Sequence, residues 1–470
     1  MIKTFTVTDL RREDVFPNFD YRFSNLRESE TEAVLERDFL GENPLHYYSD
    51  IKSGELIVAN NIQDIKEYLE KWKRTFTWER VRAVSNNTRT TIDNIAFISA
   101  TPQEEERGPT LQEYEPDWFT NEGFVRVTEP FLIKEPSAGM SFFEVMSLQT
   151  RYYVNLKTAG KVVREFLQKS LEARLATIAD SEVGLLLSGG LDSMSIGYLL
   201  SRDRDRKVTA FTLKVNEDDL DVVKSRELAK RFNIDLSEVR IEQDEAGLSI
   251  TLQGYSPTRD LRYTKKIAES IDLNKVILES LKISGNPKRD NLFCAVAMYL
   301  VGQAIATEGI KTVFCGEGPN EMINDYGYNP RDSGYTTDDK GDIAFREALT
   351  FGLKKTDRQL GRGGLPKHAI ARMGKIFSHY GLRLEAPYFN RDVARIMTRV
   401  PHTTSYDTIK QHLVSAMFER EGLDNFIQGT SKEKFQDGSG ISRLFRGYDQ
   451  QKLIDMFEGI YGIKKAGYLK

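Results

Sequence analysis

At 470 residues, the chain is too long for one ordinary core, and its 40% hydrophobic and 29% charged residues are the balance of a globular protein of two domains. A formal net charge of −4 argues against a surface made chiefly for nucleic acid. Two cysteines without CxxC spacing (Cys294, Cys315) and five histidines without ligand spacing argue against a disulfide framework or a zinc site and favour a reducing compartment. In chain order, Met1-Ile2-Lys3-Thr4-Phe5-Thr6-Val7 is strand-like and lacks the apolar region of a signal peptide. No apolar run long enough to span a membrane follows. These features predict a cytoplasmic protein with no membrane partner, in which the sequon-like Asn86-Asn87-Thr88 is a chance match.

The first 150 residues mix short apolar segments with polar turns. Leu56-Ile57-Val58-Ala59 predicts a buried strand, and the apolar spacing over 62–69 predicts a helix. Further strands are expected near 95–98 and 123–127, and the Glu- and Pro-rich stretch 101–117 is expected to be an exposed loop. Near residue 155 the texture changes. Val162, Val163, Phe166, Leu167, Leu171 and Leu175 give an apolar helix face over 159–176, and 183–187 is an apolar run suited to a parallel strand buried on both faces. A helix over 194–200, a strand over 208–213, a helix over 222–232, a helix over 292–306 and a strand over 312–314 follow. Strand and helix in alternation predict a doubly wound α/β domain over 155–470, after an α+β domain over 1–150. Ligands of such sheets bind at the carboxyl ends of the strands.

Ser188-Gly189-Gly190-Leu191-Asp192-Ser193 lies at such an end and opens a helix. Adjacent glycines let the backbone approach an anion, a helix N-terminus offers unpaired N–H groups, and flanking hydroxyls add donors, so the loop suits phosphate or pyrophosphate. Asp192 would repel a bare phosphate, which implies Mg²⁺ bridging the two. No GK[ST] is present, so this is not the loop of the common nucleoside triphosphatases. A plain strand–turn–helix junction is the alternative.

The SGGLDS string resembles the pyrophosphate loop of the ATP pyrophosphatase superfamily, whose fold is adenine nucleotide α-hydrolase-like, and the rest of the chain is similar to the asparagine synthetase family. The resemblance implies ATP as cosubstrate, with Leu187 and Leu213 at the adenine and Ser188, Gly189, Gly190, Asp192 and Ser193 at the phosphates. A second signature stands as Cys315-Gly316-Glu317-Gly318-Pro319-Asn320-Glu321, followed by Met322-Ile323-Asn324-Asp325 and a closing Tyr326. It implies that Cys315 and Gly316 line the ATP site and that Glu317 assists the amine or ammonia that attacks an acyl-adenylate. The family's two magnesium positions fall on Asp192 and on Asn320, which is neutral and would weaken the metal's hold. Glu317 in a buried ion pair with a lysine is the competing structural reading. Lys432-Glu433-Lys434-Phe435-Gln436-Asp437-Gly438-Ser439-Gly440 is very similar to the family's KExFxDGxG, implying that Lys432 stabilises the departing pyrophosphate. Leu384-Glu385-Ala386-Pro387-Tyr388-Phe389-Asn390 is similar to a family substrate segment, but Arg383 and Glu385 carry its charges in reverse order, so a structural turn is expected there.

Arg37-Asp38-Phe39-Leu40-Gly41-Glu42-Asn43-Pro44-Leu45-His46-Tyr47-Tyr48 resembles the family's glutaminase domain. That domain uses an N-terminal cysteine; here residue 2 is Ile2, neither cysteine lies in the first 150 residues, and the glutamine-binding RGPD is missing. The resemblance therefore implies a degenerate N-terminal-nucleophile-type domain before the synthetase domain. The expected activity is AMP-forming amide synthesis from a small-molecule carboxylate and ammonia or an amine. Ammonia would be free or come from a separate glutaminase. A cyclase or ligase of specialised metabolism acting on a peptide or other carboxylate, as in the β-lactam and lasso-peptide branches, is the alternative. An RNA-thiolating enzyme of this fold would need reactive cysteines and a basic surface, and an inactive scaffold is the remaining reading.

Overall fold

The computed structural model describes residues 2–5, 24–28, 32–37, 46–50, 55–59, 62–76, 81–83, 89–93, 125–128, 156–215, 219–257, 260–351, 369–400, 406–419, 421–423, 426–427, 440–445 and 447–461. The chain divides into two compact units: Met1–Val145 with Asn329–Ala371 and Glu458–Lys470, and Met146–Tyr328 with Arg372–Phe457. The stretches 329–371 and 458–470 thus group with the N-terminal residues, whereas sequence texture predicts a continuous domain over 155–470. A change of texture marks where packing style changes; it carries no sign of a segment that returns to an earlier unit.

The first unit contains β1 (Ile2–Phe5), β2 (Ser24–Glu28), β3 (Glu32–Arg37), β4 (His46–Asp50), β5 (Glu55–Ala59), β6 (Val81–Ala83), β7 (Arg89–Asp93) and β8 (Val125–Thr128). They form two four-stranded sheets, β1-β5-β4-β6 and β2-β3-β7-β8. Only the β1/β5 pairing is parallel. Ile57, Val58 and Ala59 of β5 and Tyr47 and Tyr48 of β4 are buried, as the apolar run predicts. Helix α1 (Ile62–Lys71) buries Ile62, Ile65 and Leu69, one face at helical spacing. The strand expected near 123–127 is β8; the strand near 95–98 and the loop 101–117 lie outside the described residues.

The second unit is built on a seven-stranded sheet. In chain order its elements are α2 (Leu156–Leu175), β9 (Glu182–Leu186), α3 (Leu191–Leu200), β10 (Lys207–Lys214), α4 (Leu220–Phe232), β11 (Asp235–Asp244), β12 (Gly247–Tyr255) and β13 (Leu261–Ile271). Then come α5 (Leu273–Ser284), α6 (Arg289–Thr307), β14 (Thr312–Phe314), α7 (Ala369–His379, in this unit from Arg372), β15 (Arg383–Glu385), α8 (Arg391–Met397) and α9 (Tyr406–Met417). The strand order is β13-β12-β11-β10-β9-β14-β15, and the five strands β11, β10, β9, β14 and β15 are parallel. The chain winds from β9 outward through β10 to β11, then crosses to β14 on the other side of β9. The direction of winding reverses between β9 and β14, which opens a crevice at their carboxyl ends. β12 and β13 add antiparallel edge strands.

The parallel strands are apolar on both faces because helices cover both: β10 is buried from Val208 to Lys214. Helix α6 is the one helix among the described residues long and apolar enough to cross a membrane. It is 67% buried and packs beside β10, β12 and α5, the position of a core helix. Helix α2 lies against α9 so closely that a Cβ on Gly160 would stand 2.5 Å from Ala416 Cβ. The turn expected at 384–390 is in part a correction: Arg383–Glu385 is an edge strand parallel to β14, and the turn begins only after it. Glu385, fully buried, accepts from Arg174 Nη1 at 2.6 Å and also from Arg383, while Arg174 Nη2 donates to Phe389 O at 2.8 Å. The charges in reverse order there hold β15 and its following turn against α2.

Candidate functional site

Two loops meet at the reversal of winding. The first, 187–190, leaves β9 with Gly189 at φ +72, a left-handed conformation that glycine adopts without strain. A Cβ there would also come within 2.4 Å of Lys224 Cβ. Gly190 is the N-cap of α3 and makes no side-chain cap hydrogen bond, so the amides of the first turn keep their donors for another acceptor. Ser193 Oγ donates to Gly190 O at 3.0 Å and accepts from Ser188 N at 3.3 Å, bracing the loop from inside. Ser225 Oγ, on α4, donates to Leu187 O at 2.6 Å and fixes the loop's root.

The second loop, Cys315 to Gly318, leaves β14. Cys315 N donates to Glu385 O at 2.9 Å and prolongs the β14/β15 pairing, and Gly318 (φ +123) turns the chain into a helical turn, Pro319–Met322. A Cβ on Gly316 would stand 2.6 Å from Ser193 N and 2.7 Å from Asp192 C, so the loops touch backbone to backbone.

Between them lies a cavity of about 290 Å³, at the lower end of small-molecule sites. Every sequence-predicted residue of the two motifs lines it: Leu187, Ser188, Gly189, Gly190, Asp192, Ser193, Leu213, Cys315, Gly316, Glu317 and Asn320. Leu187 and Leu213 face an apolar wall completed by Phe211, and by Cys294, Met298 and Val301 of α6. The floor is polar, with the amides of α3 and the side chains of Asp192, Glu317 and Asn320. The lining thus offers apolar side chains to a flat ring and amides to an anion. Lys432 lies outside the described residues.

Glu317 makes no ion pair within 4 Å among the described residues, so the lysine pairing weighed from sequence is not what holds it. Burial pushes its carboxyl up, Arg372 opposes this, Asp192 adds to it and Lys410 opposes it. Glu321, on the helical turn behind, is 6% exposed; Tyr326 Oη donates to its Oε1 at 2.8 Å, and Oε2 is buried without a partner. Burial, and then the charge of Glu317, push the Glu321 carboxyl up to about 7, against the pull of the Tyr326 hydrogen bond. Two carboxyls with raised affinity for protons thus follow β14, and of them Glu317 lines the cavity.

Sequence reasoning misses the cations. Lys224, Arg372 and Lys410 all line the cavity. Lys410 Nζ donates to Asp192 Oδ2 at 2.7 Å, pairs with Asp325 Oδ2 at 2.9 Å and donates to Asn320 Oδ1. Burial pushes this ammonium's pKa down, but Asp192 and Asp325 outweigh it, so it stays charged. One signal was available. Ile409, Leu413, Val414 and Met417 are the buried stripe of α9, and Lys410 lies one turn before Val414 on that stripe rather than on the opposite face.

Fold and site together define an α/β protein with a small-molecule-sized cavity at the carboxyl ends of a parallel sheet. Residues 162–252 match the asparagine synthase family model. The glutamine-hydrolysing asparagine synthetase of Rattus norvegicus is 24% identical over 291 residues, 60% of this chain and 44% of that protein. The enzyme of Bos taurus is 25% identical over 293 residues, again 60% and 44%. A probable asparagine synthetase of Schizosaccharomyces pombe is 23% identical over 295 residues, 60% and 47%. The matched residues 162–252 hold β9, the phosphate-suited loop and β10. The match spans less than half the length of these curated relatives. Among solved structures, the NH3-dependent NAD synthetase of Campylobacter jejuni overlaps 66% of this chain and 95% of its own (TM-score 0.26, 16% identity). The U34-tRNA thiolase NcsA of Methanococcus maripaludis overlaps 61% and 80% (TM-score 0.24, 13% identity). Overlaps this loose carry no functional weight.

Proposed function

We propose that the chain is an AMP-forming carboxylate–amine ligase, with ATP in the crevice between β9 and β14. The observation that carries this reading is the backbone contact of the two motif loops beside one cavity lined by both apolar side chains and anion-suited groups. The family match over 162–252 supports it.

In the first step, an oxygen of the substrate carboxylate attacks the α-phosphorus of ATP. The α–β phosphoanhydride bond breaks and pyrophosphate leaves. The first-turn amides of α3 and Lys224 receive its negative charge, joined by Lys432 as the sequence resemblance implies. ATP enters as its magnesium complex, so the metal comes with the substrate. In the second step, the nitrogen of ammonia or an amine attacks the acyl carbon, AMP leaves, and a proton of the nitrogen passes to Glu317. Burial raises the proton affinity of Glu317, which suits it to accept that proton. Adenine stacks on the apolar wall of Leu187, Leu213 and α6.

The nitrogen arrives as ammonia or an amine rather than from glutamine hydrolysed by this chain. Residues 1–150, similar in part to a glutaminase domain, contain no cysteine to serve as nucleophile. A degenerate domain of that kind, in a cytoplasmic protein, completes the reading. Incubation with ATP, aspartate and ammonium, read out as asparagine, tests the simplest form.

One observation favours a second reading, in which the carboxylate is not aspartate. Glu385 and Arg383 stand where the family resemblance places substrate contacts, and here they are engaged with each other, Glu385 also with Arg174 and Arg383 with Thr177. A ligase or cyclase acting on another carboxylate gives no asparagine but releases pyrophosphate when that carboxylate is supplied.

A further inference from the structure

The resemblance gives a divalent cation two protein ligands, and in this chain they are Asp192 and Asn320. What lies between these side chains in the structure is an ammonium group. Lys410 Nζ reaches Asp192 Oδ2 at 2.7 Å, Asp325 Oδ2 at 2.9 Å and Asn320 Oδ1. An ammonium has three protons and no acceptor, so these three oxygens use its whole donor capacity. The group is enclosed: the Lys410 side chain is 12% exposed and that of Asp325 is 5% exposed.

A Mg²⁺ ion demands near-octahedral oxygen ligands at about 2.0–2.1 Å. Reaching Asp192 and Asn320 together, it would compete with a buried like charge for the same lone pairs. Among the described residues, no group of three His, Cys, Asp or Glu side chains is arranged to hold a metal. The donor set fits an ammonium and does not fit a resident divalent ion. The neutral residue at 320 belongs to the same arrangement. Two carboxylates and one amide oxygen around one ammonium leave a single net negative charge, which an aspartate at 320 would double. Asn320 is therefore suited to a lysine-filled site, rather than being a weakened metal ligand.

We propose that the ammonium of Lys410 occupies the protein's divalent-cation position, so that the chain itself holds no Mg²⁺ and metal enters only with the nucleotide. This rests on the reading of Asp192 and Asn320 as the cation end of the ligase site. Its consequence for that reading is that Lys410 positions Asp192 at the start of α3 without metal.

The test uses the full-length chain without nucleotide and Mn²⁺ as the probe, with bound and free ion separated by electron paramagnetic resonance. The wild-type chain is expected to leave Mn²⁺ free, and Lys410→Met is expected to gain one bound ion, held by Asp192, Asp325 and Asn320. Removing the lysine leaves the buried Asp325 and the part-buried Asp192 without the ammonium they share, so the variant's folding is followed by circular dichroism. If it does not fold, Asn320→Asp decides. With the ammonium in place this variant still binds no Mn²⁺, whereas a metal site weakened at position 320 would tighten by about tenfold. A wild-type chain that binds one Mn²⁺ without nucleotide, and loses it on Asp192→Asn, overturns the proposal. These readouts need no turnover: a chain that ignores Mn²⁺ and also fails to consume ATP keeps the ammonium inference and loses the ligase reading.

Discussion

Gly316→Ala isolates the contact between the two motif loops. The φ of Gly316 lies outside the left-handed region, so the glycine serves close approach and not an unusual backbone. An added Cβ meets Ser193 N at 2.6 Å, Asp192 C at 2.7 Å and Asp192 O at 3.0 Å, all backbone atoms at the first turn of α3. None can swing aside as a side chain does. Restoring ordinary contact separates the loops by roughly 0.8 Å, an overpacking that costs about 1–3 kcal/mol. In a unit of this size that lowers the thermal midpoint by about 3–10 °C. Misplacement on the scale of 1 Å between reacting groups costs about a hundredfold in rate. Carboxylate-dependent exchange of pyrophosphate into ATP is thus expected to fall about a hundredfold, while the chain stays folded at 25 °C. Gly459→Ala is the control: exposed within a helix and with nothing within 4 Å, it should stabilise by about 0.5–1 kcal/mol and leave exchange unchanged. Exchange by Gly316→Ala within about twofold of wild type would refute a site formed by contact of these loops.

Glu321 gives a pH dependence with a definite sign. Its carboxyl is pushed from 4.5 up to about 7, so the folded chain holds the proton more tightly than the unfolded one. The associated stability is full below pH 4.5 and is lost as pH rises through 7, amounting to about 3 kcal/mol at most. Glu321→Gln keeps an acceptor for Tyr326 and removes the ionisation. Urea midpoints at pH 5 and pH 8 should therefore lie closer together in the variant than in the wild type; an unchanged gap would show that Glu321 does not titrate there. Arg174→Met removes the buried guanidinium paired with the fully buried Glu385 and leaves the half-buried Arg383 beside it. It is expected to cost about 3–5 kcal/mol in chemical denaturation, and a loss under about 1 kcal/mol would mean that the pair does not hold β15.

The loop 188–193 was legible because its determinants are local: an apolar run, two glycines and a helix start are all neighbours in sequence. The order of the second motif after a strand was legible for the same reason, and the structure brings the two motifs together. Lys410 was not, since it meets Asp192 across 218 residues and a lone lysine reads as a solvated charge. The apolar wall from α6 was hidden in the same way, because helical periodicity gives a buried face without naming what it covers. Arg383 and Glu385 were read as a turn because three residues are too few for strand periodicity to register. The antiparallel pair β12 and β13 follows no ligand motif, and its alternating pattern is plain only beside β11.

Phosphorus NMR reads directly which bond of ATP breaks. With an accepted carboxylate and an amine present, phosphorus NMR of the reaction should show AMP and pyrophosphate appearing together, one of each per amide formed, and neither should appear with Asp192→Ala. Formation of ADP and inorganic phosphate, or no consumption of ATP with any carboxylate in a broad panel, would contradict the ligase reading.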